Sequence, residues 1–224
     1  MKNFRIVTEG QSETNFVNRV MVPYFYGRCT LIPITVVTKT DNRHGKIYKG
    51  GVGNYGQMRN TLLNTLANAS KNPDSYVTTM FDFYRLPTDV PGVAEAEKVD
   101  DPYKKVEIIE REVQRVEGYG EKFFFPYIEL HEFEAMIFSD ITKLEETYFE
   151  DDLTALKECV KAQSNPELIN NGADTAPSKR IMDCIGSFDK ANVGVDVLGK
   201  IGIENIAGKC RHFAEWLQCI EERI

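Results

Sequence analysis

Hydrophobic and polar positions along the chain fall into two alternating rhythms. Phe4-Arg5-Ile6-Val7 reads as a short strand closing in Thr8-Glu9-Gly10. Phe16, Val17, Val20, Met21 and Tyr24 then recur at helical spacing, predicting a helix over 12–26 that Gly27 ends and Pro23 threatens to kink. Leu31 to Val37 is a second strand, and Pro33 places it at an edge. A glycine-rich stretch leads to a helix over 57–69, followed by a near-continuous run of β formers, Tyr76 to Phe81, as in a strand covered on both faces. Residues 85–100 read as irregular. Asp101-Pro102 starts a helix that stops at Gly118. Residues 123–130 form a further strand, and helical spacing dominates beyond 140, over 142–148, 151–162, 177–186 and 204–222.

Strands alternating with helices predict an α/β fold, a parallel sheet with helices on both faces. The expected organisation is a core over 1–140 and a mostly helical C-terminal part over 141–224 packed on it as one unit. No apolar run approaches the ~20 residues that span a bilayer. The opening residues turn polar too early for a secretory signal. Five cysteines without C-x-x-C spacing argue for free thiols in a cytoplasmic protein and against a zinc knuckle.

Charge changes the picture more than composition does. The net charge is −7, yet residues 1–60 carry nine Lys/Arg against three Asp/Glu, giving +6. The remainder carries 18 against 31, giving −13. A uniformly basic nucleic-acid binder is excluded, so any phosphate-contacting surface must be local. Arg43, Lys46 and Lys49 are the best candidates, although a solvated loop explains them nearly as well.

In open parallel sheets ligands bind beyond the C-terminal strand ends. Three acidic groups fall there: Glu9 with Glu13, Asp82, and Glu132 with Glu134. Gathered together, these carboxylates disfavour one another's ionisation, and a bound cation relieves the repulsion. All-oxygen ligation suits Mg²⁺ or Mn²⁺. Each acid has a plainer explanation, as a first-turn residue, a turn cap or a surface position. His131 is a candidate to contact phosphate, or else a loop-bonded structural histidine.

Glu9-Gly10-Gln11-Ser12-Glu13 after the opening strand and Phe81-Asp82-Phe83-Tyr84 after the hydrophobic one resemble the acidic signatures of Toprim domains, including those of OLD-family nucleases. The chain is more closely similar to a bacterial Toprim-like group, domain-of-unknown-function family four-two-seven-six. That pattern continues in Leu130-His131-Glu132-Phe133-Glu134-Ala135, in Ala176-Pro177-Ser178-Lys179-Arg180, and in Cys210, Phe213, Trp216 and Leu217. One departure stands out: Toprim nucleases show Asp-x-Asp where this chain has Asp82-Phe83-Tyr84. Glu132 or Glu134 replaces the second ligand, or the site holds one metal, or it no longer cleaves.

The resemblance implies a metal-dependent nuclease acting in antiphage or mobile-element defence, with Glu9, Glu13 and Asp82 catalytic. Lys179, in the first turn of a helix, is the expected cation for developing charge, with Arg180 as a weaker companion. The expected partners are nucleic acid, DNA before RNA, and a separately encoded ABC- or SMC-type ATPase. A homo-oligomer stays open, and no membrane is involved. The alternative is a catalytically latent module that works through such an ATPase.

Overall fold

The computed structural model describes residues 1–36, 53–84, 86–169 and 175–224. Strand β1, Asn3–Thr8, lies between β2, Thr30–Thr35, and β3, Ser75–Asp82, and pairs in parallel with both. Beyond β3 the expected single strand over 123–130 is two short ones, β4, Phe124–Phe125, and β5, Ile128–Glu129. Pro126, which lacks an N–H for the ladder, separates them. Both pair in parallel with β3, at Val77–Thr78 and at Phe81–Asp82. The five-stranded sheet is therefore wholly parallel and β2, with Pro33, is its edge.

Helices cover both faces. The first helical run comprises α1, Gln11–Phe16, a π-helical turn at Val17–Met21, and α2, Val22–Tyr24. The π turn precedes Pro23, where the expected kink appears as a widened turn. Helix α3 is Tyr55–Ala69, and the stretch read as irregular contains a short helix α4, Val93–Ala96. Helix α5, Pro102–Glu117, starts on the Asp101 side chain, which accepts the Tyr103 and Lys104 N–H groups, and ends on Gly118 at φ +73°. Helices α3 and α5 bury Leu62, Leu66, Val106 and Ile109 with Val7, Val77 and Phe81 on one face of the sheet.

On the other face, Phe4, Ile6 and Met80 meet α1 and the C-terminal helices. After a 3₁₀ segment at Phe133–Ser139 come α6, Ile141–Glu145, α7, Thr154–Ala162, and α8, Pro177–Cys184. A π-helical turn at Lys190–Gly194 and α9, Val195–Ile201, add helix where none was expected. Then α10, Ile203–Lys209, and α11, Arg211–Glu221, divide at Cys210 the helical run expected over 204–222. Helix α11 buries Phe213, Trp216, Leu217 and Ile220, one stripe at helical spacing. Trp216 Nε1 donates to Thr78 Oγ1 at 2.9 Å, and Thr78 Oγ1 donates to the Phe125 carbonyl at 2.6 Å, tying the C-terminal helix to the central strand. Among the described residues no helix is long and apolar enough to cross a membrane.

Candidate functional site

Strands β1, β3 and β5 run in the same direction, so Glu9, Asp82 and the segment after Glu129 emerge on one rim. The Glu9 N–H donates to the Met80 carbonyl at 3.3 Å, extending the β1–β3 ladder past the strand end. Gly10 adopts an extended backbone at φ −147°, so left-handed freedom is not why glycine stands there. Space is the reason: a Cβ at residue 10 would lie 3.3 Å from Glu13 Oε2. That oxygen accepts the Gly10 N–H at 2.7 Å, fixing Glu13 in the first turn of α1.

Asp82 Oδ1 accepts the Phe133 N–H at 3.1 Å and so holds the 3₁₀ segment against the end of β3. That tight segment sends its two acids apart. Glu134 turns into the rim, 1% exposed, and neither carboxylate oxygen has a hydrogen bond. Glu132 turns away, its oxygens accepting the Ser178 N–H and the Ser178 hydroxyl, both at 2.9 Å. It thereby satisfies orphan donors at the start of α8, although it was expected as a metal ligand equal to Glu134.

The cation in the rim is Lys190. Its Nζ lies 3.1 Å from Glu134 Oε1, an ion pair without hydrogen-bond alignment. The Asp189 side chain caps the π turn that carries it by accepting the Asn192 N–H, and Asn15 Nδ2 donates to the Ala191 carbonyl, joining that turn to α1. No motif pointed to Lys190, because a lone lysine after Phe188-Asp189 has no distinctive spacing. Lys179, the expected cation, is exposed and makes no ion pair among the described residues. Arg180 Nε donates to the Thr175 carbonyl at 2.7 Å. Arg43, Lys46 and Lys49 lie outside the described residues.

The electrostatics match a crowded anionic site. Burial, then the charge of Glu13, pushes the Glu9 carboxyl up to about 7. Burial raises Glu13 as well. Burial followed by the charges of Glu13, Glu9 and Glu134 holds Asp82 well above the usual carboxylate range. Glu134 is raised by burial, against the opposing pull of Lys190. Burial disfavours the Lys190 ammonium, but Glu134, Asp82 and Glu13 outweigh it and its pKa rises. Four carboxylates from three chain segments thus share one rim.

His131 adjoins this rim in a left-handed conformation, φ +66°, uncommon for a residue with a Cβ. Its carbonyl accepts the Tyr84 N–H at 2.7 Å, so the unusual backbone turns the chain from β5 toward Glu132 and Glu134. The imidazole is buried with Nδ1 unpaired, and burial, aided by the charge of Lys105, lowers its pKa to about 4.

The donor set is all carboxylate, which suits a hard divalent cation, and neither oxygen of Glu134 is engaged in a hydrogen bond, Oε1 facing only the Lys190 ammonium. Among the described residues, however, no group of three or more His, Cys, Asp or Glu is placed to hold a metal ion. The acids are neighbours without forming one coordination shell.

Compared with known proteins, residues 8–221 match a family model described as a domain of unknown function, DUF4276. Neither the curated proteins nor the solved structures give a match.

Proposed function

The chain belongs to the DUF4276 family, and from its acidic rim we propose a metal-dependent nuclease that hydrolyses phosphodiester bonds. One observation carries the reading: at the C-terminal ends of parallel strands, burial raises the pKa of Glu9, Glu13, Asp82 and Glu134, and neighbouring carboxylates add to the rise at Glu9 and Asp82. In this reading these four residues would draw together from their neighbouring positions to hold Mg²⁺ or Mn²⁺. When bound, the ion lowers the pKa of a water and neutralises phosphate oxygens. The Gly10 and Phe133 N–H groups orient Glu13 and Asp82. Without a metal, burial and Glu13 push the Glu9 carboxyl up to about 7, and a bound cation would draw it back toward its ionised form. Lys190 supplies positive charge beside the reacting phosphate, the role expected of Lys179.

DNA is the favoured substrate, and the resemblance of Glu9-Gly10-Gln11-Ser12-Glu13 and Phe81-Asp82-Phe83-Tyr84 to the acidic motifs of Toprim domains supports a role in antiphage or mobile-element defence. With a net charge of −7, the chain has little surface of its own for a polyanion, which favours a partner ATPase supplying one. The test is cleavage of DNA and RNA panels with Mg²⁺ or Mn²⁺, with Glu9→Ala and Asp82→Ala as controls. Cleavage that survives both substitutions rules this function out.

The Lys190–Glu134 ion pair favours a second reading, since an internal cation already relieves part of the repulsion. In that reading the rim is catalytically latent and the chain serves as an interaction module for an ABC- or SMC-type ATPase. A stable complex with such an ATPase, without metal-dependent cleavage even in the complex, is its signature.

A further inference from the structure

A second site lies away from the acidic rim. Helices α5 and α11 and the segment joining β4 to β5 line an open pocket of about 410 Å³, within the size range of small-molecule pockets. Phe125 on its wall pairs with Thr78, four residues short of Asp82, or roughly 13 Å back along the strand.

The walls are aromatic. Tyr127 and Trp216 stack at 4.4 Å with planes 9° apart, and the His212 ring stacks on Tyr127 at 5.1 Å. The polar groups are mostly acidic. Glu110 Oε1 accepts from His212 Nε2 at 2.9 Å and from the Ile128 N–H at 2.7 Å. Glu215 accepts from Arg211 Nε at 2.8 Å. Each cation lining the cavity therefore meets a carboxylate, and Glu215, whose second oxygen lies 3.8 Å from His212 Nδ1, is shared by both. Glu107, one turn before Glu110 on α5, is exposed and has no partner among the described residues. With His212 protonated, two cations face three carboxylates, leaving one negative charge.

We propose that this cavity binds a small organic cation carrying a guanidinium or primary ammonium group. Glu107 and the second oxygen of Glu110 accept its N–H donors, and its alkyl chain lies against the aromatic wall. A carboxylate as enclosed as Glu110, held above its usual range mainly by burial, gains from a second positive neighbour. An anionic ligand meets the surplus negative charge and is disfavoured. The site does not depend on the nuclease reading, since none of its residues belongs to the rim.

Trp216 is the sole tryptophan of the chain and lines this cavity, so its fluorescence is sensitive to a ligand seated there. Titration of the full chain with agmatine, which carries both cationic groups, is expected to change that emission saturably. Glu107→Gln is expected to weaken binding about tenfold, through loss of one charge-assisted contact. Glu107 is exposed, so an unchanged circular dichroism spectrum is expected to accompany that loss. Three outcomes overturn the proposal: no saturable change up to about 10 mM agmatine, equal affinity in Glu107→Gln, or tighter binding of AMP or of a blocked arginine tripeptide.

Discussion

Lys190 Nζ stands 3.1 Å from Glu134 Oε1, with the ammonium half exposed at 54% and the carboxylate buried at 1%. The pair is therefore asymmetric, and its worth lies in what Glu134 loses without it. Lys190→Met leaves a buried carboxylate uncompensated, at a cost of roughly 1–3 kcal/mol in metal-free protein. If a divalent cation relieves the same repulsion, Mn²⁺ will raise the melting temperature of Lys190→Met by more than that of the wild type. Thermal denaturation with and without Mn²⁺ measures the difference. A smaller Mn²⁺ response in the variant means that Lys190 and the metal do not compete.

Glu132 and Glu134 are separated by one residue and by function. Glu132→Ala removes the acceptor for both Ser178 donors at the start of α8, and a loss of about 1–2 kcal/mol is expected in urea unfolding. Ser178→Ala is expected to reproduce part of that loss. Metal response is expected to fall with Glu134→Ala and to persist with Glu132→Ala. The reverse ranking makes Glu132 the ligand.

The helix-to-helix ion pair of His212 with Glu110 sets a pH dependence. Burial opposes the imidazolium, but the hydrogen bond and charge of Glu110, then the charges of Glu129 and Glu167, raise its pKa from 6.5 to about 9. A raised folded-state pKa gives stability that is complete below pH 6.5 and lost as pH climbs to about 9. That is at most on the order of 3 kcal/mol. Glu129, raised from 4.5 to about 8 first by burial and then by Glu167, acts with the same sign. Urea unfolding at pH 6.5 and pH 9 is expected to show the wild type losing stability across this window and His212→Gln losing less.

Gly92 begins α4 at φ +89°, where a Cβ would come within 2.9 Å of Ile109 Cα and 3.0 Å of the Ile108 carbonyl on α5. Both obstacles are backbone and cannot swing aside. Gly92→Ala is expected to cost about 2 kcal/mol or more, read from a lower urea midpoint. An unchanged midpoint means that α4 shifts away from α5 at no cost.

The elements were legible because their signals are local. The side-chain period and the Asp101-Pro102 start and Gly118 stop of α5 each act over a few residues. Together they give alternating strands and helices, and alternation dictates a parallel sheet with strand ends on one rim. Placing Glu9, Glu13 and Asp82 on that rim needed nothing more. Three features were not legible. Pro126 splits a run of β formers that local propensity reads as one strand. The 3₁₀ geometry after His131 decides that Glu134 faces the acids while Glu132 caps α8, which a spacing of two residues leaves undetermined. Lys190 reaches the rim through long-range contacts, with Asn15 bonded to Ala191 across 176 residues. Sequence alone thus determined which side chains could meet at the strand ends, because direction along a strand is a local property. Only the tertiary structure decided which acids are paired, capped or left bare and which lysine sits among them, because those choices depend on packing between segments distant in the chain.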